Sequence, residues 1–143
     1  MEVLDKYGSD YQKERWLKPL LNGEIRSAFA MTEPNVASSD ATNISSSIIR
    51  EGDEYVVNGQ KVWTSRAEHS DLMLLLARTT PKDEVTKRTD GLSVFLVDLR
   101  KSLNHGVTIR PISTMINHAT TEVFIDDLRI PAEQRIGEEG KGF

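Results

Sequence analysis

The sequence predicts a mainly β fold: an antiparallel barrel or orthogonal sandwich of about eight short strands, preceded by one short N-terminal helix. Three observations predict it. Apolar or alternating runs of strand length recur at close spacing from Arg26 to Pro131, separated by clusters of Gly, Pro, Asn, Asp and Ser. Helical periodicity is confined to residues 9–22. Strands therefore do not alternate with helices, which excludes a β/α arrangement.

The 143 residues suit one domain of ordinary size. A chain of that length buries roughly 68–70% of its unfolded surface, enough for a core without staples. Hydrophobic residues at 38% and charged residues at 28% describe a globular chain rather than a disordered one. The net charge of −4 and the lack of a Lys/Arg stripe argue against a nucleic-acid partner. Having no cysteine excludes disulfides, thiolate zinc sites and cysteine nucleophiles. The longest apolar run, Leu72 to Ala77, is too short for a transmembrane segment.

Taken in order, Ser9 with Gln12 three residues later makes a capping box. Trp16, Leu17, Leu20 and Leu21 follow on one helical face. Pro19 predicts a break or kink near Lys18, and Asn22-Gly23 a stop. Ser27–Met31 reads as a first strand and Thr42–Ile49 as a second, polar one, with a turn at Glu51-Gly52-Asp53. Asn58-Gly59, flanked by Glu54–Val57 and Gln60–Thr64, predicts a type I′ hairpin. Leu72–Ala77 is expected as a central strand covered on both faces, and Thr79–Gly91 as an exposed loop. Leu92–Val97, Val107–Ile112 and Thr121–Ile125 complete the strands, with Asp126-Asp127 turning into Leu128–Pro131. Met1–Leu4 looks like the tail of a helix, and Gly137–Phe143 like a glycine-rich linker, so both edges read as cuts through a longer protein.

Most reactive patterns are missing. Gly137, Gly140 and Gly142 have neither the order nor the spacing of a phosphate-binding glycine motif. His69, His105 and His118 lack metal-ligand spacing, so no metal site is expected. Glu33, Asp40 and Glu122 each have the chemistry of a general base, but acids at turns are mostly caps or solvated charges, and no residue is assigned as catalytic. Two clusters remain. Thr32, Ser38 and Ser39 lie on the loop after the first strand; Trp63, Thr64 and Ser65 end the predicted hairpin. A flat heteroaromatic ligand needs an apolar or aromatic wall and polar donors at its edge, and together the clusters offer both. Singly, the loop is explained as well by a Pro-initiated turn, and Trp63 by a place in the core.

Several motifs in order carry a stronger signal than either cluster. Tyr7-Gly8-Ser9, Phe29-Ala30-Met31-Thr32-Glu33-Pro34, Ser39-Asp40, Tyr55 to Ser65, Val123-Phe124, Ile130-Pro131 and Gly140-Lys141-Gly142-Phe143 together resemble the acyl-CoA dehydrogenase family over nearly the whole chain. Residues 35–43 are similar to the branch that animals carry fused to a phosphotransferase-like kinase domain. The resemblance implies that residues 1–24 are the last helix of an N-terminal helical domain and residues 25–143 the middle, FAD-contacting β-domain, with the C-terminal helical domain absent. It implies an enzyme that oxidises acyl-CoA to trans-2-enoyl-CoA, giving the α-proton to a carboxylate and the β-hydride to flavin. That carboxylate is expected beyond Phe143, so this chain alone should be inactive. An electron-transferring flavoprotein and homodimer or homotetramer assembly are implied as partners, with a cytoplasmic location in a bacterium and a mitochondrial or peroxisomal one in a eukaryote.

By the same resemblance Phe29, Ala30, Met31 and Thr32 line the flavin, with the Thr32 hydroxyl at its pyrimidine edge. Trp63 packs beside the ring, Thr64 belongs to the same segment, and the Ser65 hydroxyl approaches N5. Ser39 is expected at the pyrophosphate and near the acyl-CoA. The loop here is one residue longer than the family's usual Gly-Ala-Gly-Ser-Asp, so Ser38 and Ser39 compete for that role. Arg66 stands where a small or amide residue is usual. An acyl-CoA oxidase-like or nitroalkane oxidase-like flavoenzyme shares the expected fold, and a β-barrel interaction module without cofactor is the reading from another class.

Overall fold

The computed structural model describes residues 1–38, 40–116 and 119–142. The predicted central strand, β4 (Leu72–Arg78), pairs antiparallel with β5 (Leu92–Asp98), from Leu72 opposite Asp98 to Arg78 opposite Leu92. Both faces of this pair are covered, which is why the two strands are apolar along most of their length, apart from Ser93 and the end residues Arg78 and Asp98. Met73, Leu75, Ala77, Phe95 and Val97 face one core, shared with Tyr55, Val57, Val123, Ile125, Leu128 and Ile130. Leu72, Leu76, Leu92, Val94 and Leu96 face a second core with Leu4, Trp16 and Leu17 of the helices.

Among the described residues eight strands form one sheet, in the order β6-β7-β3-β2-β4-β5-β8, with β1 beside β4 off this path. The other strands are β1 (Ser27–Ala30), β2 (Ser47–Glu51), β3 (Glu54–Ser65), β6 (Val107–Pro111), β7 (Thr120–Pro131) and β8 (Arg135–Ile136). The mainly β class with eight strands is as expected. The layers containing β4–β5 and β3–β7 sandwich the first core, but the sheet is open rather than closed into a barrel. Its pairing is not wholly antiparallel: β1 runs parallel to β4, Ser27 opposite Leu72 through Ala30 opposite Leu75.

The N-terminal segment holds two helices, α1 (Glu2–Tyr7) and α2. The second starts at Asp10–Gln12, widens into a π-helical turn over Lys13–Leu17 and returns to α over Lys18–Leu21. The capping box is present: Ser9 Oγ accepts from Gln12 N while Gln12 Oε1 accepts from Ser9 N. Pro19 does not break the helix. The π-turn just before it sends the Lys18 N–H to the Lys13 carbonyl and so widens the turn that a proline ring would crowd. Gly23, at φ 72°, adopts the left-handed conformation that ends α2. Gln12 Nε2 donates to the Glu133 and Arg135 carbonyls (2.7 and 2.8 Å), and Trp16 Nε1 donates to Gln134 Oε1 (3.0 Å), docking the helix.

Three local expectations are overturned. Asn58-Gly59 is not a hairpin: β3 runs straight through it, and the tight turn is Gly52-Asp53, between Glu51 and its partner Glu54. Asn58 instead exchanges hydrogen bonds with Asp127, donating Nδ2 to Oδ1 (2.9 Å) and accepting the Asp127 N–H (2.8 Å). Gly59 is needed for closeness, because a Cβ there would stand 2.2 Å from Ser46 Oγ. Asp126-Asp127 is not a turn but the extra-residue side of a bulge within β7, with Asp127 at φ 46°. The second strand begins only at Ser47, since a 3-10 turn over Ala41–Asn43 takes up its predicted start. A short helix, α3 (Leu99–Ser102), follows β5 without a strong sequence signal. Among the described residues no helix is long and apolar enough to cross a membrane.

Candidate functional site

Strand β1 alternates as a half-buried strand should: Ala28 and Ala30 are buried while Phe29 is 50% exposed. Beyond it the chain stays attached to β3, because the Val62 N–H donates to the Thr32 carbonyl (2.9 Å). This bond brings the two sequence clusters together. Glu33, next along, turns inward and is almost fully buried. Its Oε2 accepts from Ser45 N (2.7 Å) and Ser45 Oγ (2.9 Å), its Oε1 from Ser46 N (2.8 Å) and Lys61 Nζ (2.9 Å). Burial by itself would raise its pKa; the Lys61 ammonium and the serine donors outweigh that and hold the carboxyl down at about 2. Burial pushes the Lys61 ammonium down, against the opposing pull of Glu33. Glu33 is thus neither a cap nor a solvated charge, and its lone pairs are committed, so it is no general base.

Strand β3 carries the second cluster on a bulge. Tyr55, Val57 and Lys61 face inward with period two. Between Lys61 and Thr64 the register against β7 slips: two residues, Val62 and Trp63, stand opposite Glu122 alone. The extra residue resets the alternation. Trp63, which the period would place inside with Lys61, instead lies outward, 58% exposed and at φ 61°. Thr64 is buried in its place, with its Oγ1 unpartnered among the described residues and its carbonyl accepting from Thr121 Oγ1 (2.8 Å). Ser65 is exposed beside it, and Arg66, at φ 60°, donates its N–H to the Ala119 carbonyl (2.6 Å).

The structure places the expected site residues unevenly. Thr32, Trp63 and Ser65 sit at the junction of β1 and the β3 bulge. Phe29 and Met31 line an open groove of about 640 Å³ with Leu74, Leu76, Val94 and Ile136. Ala30 and Thr64 have buried side chains, so only their backbones are available to a ligand. Ser38 is exposed on the loop after Pro34, and Asp40 closes that loop by accepting from Thr42 Oγ1 (2.6 Å) and Asn43 Nδ2. The Thr42 bond, with the nearby Arg88, Asn43 and Lys82, holds the Asp40 carboxyl below its usual range despite opposing desolvation. Ser39, His118 and the terminal Phe143 lie outside the described residues.

Sequence reasoning missed Lys61, which is wholly buried. Its signal was its place in the inward series Tyr55, Val57, Gly59, Lys61, four residues of one strand face. Together these groups make an exposed aromatic wall at the end of β3, hydroxyl residues beside it, and an apolar groove that opens along β1 and its neighbours β4 and β5, features that suit a flat ring with a polar edge. Among the described residues no three His, Asp or Glu side chains group to hold a metal ion.

Residues 28–128 match the family model described as the acyl-CoA dehydrogenase middle domain. The chain is 40% identical to a probable acyl-CoA dehydrogenase, FadE2, of Mycobacterium tuberculosis, across all of this chain and 35% of that protein. It is 42% identical to acyl-CoA dehydrogenase family member 11 of Gallus gallus, across all of this chain and 19% of that protein. A solved acyl-CoA dehydrogenase from Geobacillus kaustophilus superposes with a TM-score of 0.90 at 37% identity, covering 99% of this chain and 37% of that one. The chain thus spans about a third or less of the relatives it matches.

Proposed function

The chain belongs to the acyl-CoA dehydrogenase family, and from that footing we propose that it is the FAD-contacting middle domain of an enzyme that oxidises acyl-CoA thioesters. The observation that carries the reading is Trp63: a large aromatic turned outward by a bulge, in a left-handed conformation, next to Thr32. Exposing a tryptophan and straining its backbone both cost stability, and such strain collects at functional sites.

The residues present fit the flavin. Trp63 offers a face for the ring and excludes water from it. The Thr32 and Ser65 hydroxyls supply donors at a polar edge, where they favour negative charge developing on the ring. Phe29 of β1 and Met31 just after it provide apolar surface in the groove along β1. For a phosphate the adjoining loop carries two candidate hydroxyls, Ser39, expected from its place beside Asp40, and Ser38, which is exposed. Bound here, FAD supplies the hydride acceptor for conversion of acyl-CoA to trans-2-enoyl-CoA. Glu33 does not serve as the carboxylate that takes the α-proton, being fully occupied and held at about 2; the family resemblance implies that this carboxylate is supplied by another domain. An electron-transferring flavoprotein as acceptor and a homodimer or homotetramer as the working assembly follow from the family resemblance.

The test uses the full-length enzyme. It should purify yellow with FAD and bleach anaerobically when a matching acyl-CoA is added. A colourless protein that ignores added FAD would sink the proposal. Oxygen consumption with acyl-CoA as the sole reductant would move the assignment to an oxidase.

A further inference from the structure

We propose that Glu33 is the positioning residue that couples the loop carrying Ser38 to the wall carrying Trp63, with Lys61 as its relay. The inference rests on the flavin reading above and concerns how the two halves of that site keep one geometry.

One carboxylate is bonded to two separate segments, at Ser45–Ser46 and at Lys61, and Lys61 bonds back to the carbonyl of Met31 in the carboxylate's own segment. Through Ser45 N, Ser45 Oγ and Ser46 N it clasps the base of the loop that leaves β1 at Pro34 and returns at Ser45. The 3-10 turn Ala41–Asn43 and its Asp40 cap lie inside this clasp. Through Oε1 it holds Lys61 Nζ, which also donates to the Met31 carbonyl (3.1 Å). Lys61 is the last inward residue before the bulge, so its position sets where Trp63 emerges. With the bond from Val62 N to Thr32 O, residues 31, 32 and 33 are each tied to residues 61–62. Arg78, the other buried cation nearby, donates to the Ile44 and Thr42 carbonyls and pins the return of the loop from its far side.

Stability alone gives no reason for an ion pair here. A buried pair is often matched or bettered by a neutral pair of similar volume, because desolvation offsets the attraction. The pair does specify geometry. A carboxylate accepts at four sites and donates at none, and here donors from Ser45, Ser46 and Lys61 fill those sites. An amide in its place must turn an NH2 toward one of them.

The test compares E33Q, K61M and the double variant E33Q/K61M in the full-length enzyme. Each single variant leaves a buried group mispaired and should lower both thermal stability and FAD affinity. The double variant should recover a melting temperature within roughly 5 °C of wild type. Its FAD affinity should nevertheless stay weaker by roughly tenfold or more, the scale of loss produced when a support misplaces a site. The vibrational shoulders of its bound-flavin band should also be blurred. A double variant that binds FAD with wild-type affinity and spectrum overturns the coupling. One that does not fold also overturns it, by showing that the pair serves the fold. Wild-type protein that takes up no FAD defeats the flavin reading itself, and the coupling falls with it.

Discussion

Trp63→Gly separates a wall from a core residue. At 58% exposure Trp63 keeps under half of its surface covered. Taking roughly 200 Å² for a tryptophan side chain, removal gives up about 2 kcal/mol of apolar burial. Against this, relief of the left-handed backbone at φ 61° returns on the order of 1–3 kcal/mol. Glycine's extra freedom in the unfolded chain takes back roughly 0.5–1 kcal/mol. The net change lies between nothing and a loss of about 2 kcal/mol. Trp16→Ala provides the contrast. That residue is 4% exposed with its Nε1 bonded to Gln134, and its truncation should cost about 3–5 kcal/mol. Urea unfolding of both variants, with flavin removed, measures the two numbers. FAD titration of the full-length Trp63→Gly enzyme should show a loss of affinity despite the small stability change. If Trp63→Gly destabilises as much as Trp16→Ala, Trp63 is a packing residue and the wall reading fails.

Two further outcomes follow from the same geometry. The Glu33 carboxyl is held at about 2 against an ordinary 4.5, so its stabilisation is full above pH 4.5 and is lost as pH falls towards 2. At ~1.36 kcal/mol per pKa step this is worth roughly 3 kcal/mol; urea unfolding across that range should show the extra loss in wild type and not in E33Q/K61M, and parallel curves would refute it. Gly59→Ala would place a Cβ 2.2 Å from Ser46 Oγ and 2.9 Å from Ser46 Cα, so it should destabilise by about 1–3 kcal/mol, with partial rescue by Ser46→Gly. A neutral Gly59→Ala in a thermal melt would show that the close approach is not real.

The strands most legible in the sequence were those whose neighbours mattered least. Leu72–Ala77 and Leu92–Val97 were readable because each is apolar on both faces, whichever element covers them. The Ser9–Gln12 capping box was readable because both partners lie within one turn. Asn58-Gly59 misled for the opposite reason. The dipeptide suits a hairpin locally, but Asn58 is taken by Asp127, sixty-nine residues away, and Gly59 by the approach of Ser46. Glu33 was passed over as a turn acid because its four donors come from Ser45, Ser46 and Lys61, none of them adjacent in the chain.

By itself the sequence determined the mainly β class, the two aliphatic strands at the centre, the capped helix and the family, since these rest on periodicity, local caps and motif order. Tertiary structure alone decided the direction in which Trp63 points. Its side of the sheet depends on one extra residue opposite Glu122, and a bulge exists only relative to the partner strand. It also decided that Glu33 and Lys61 are buried together, because a charge is tolerated inside only when its partners arrive from elsewhere in the fold.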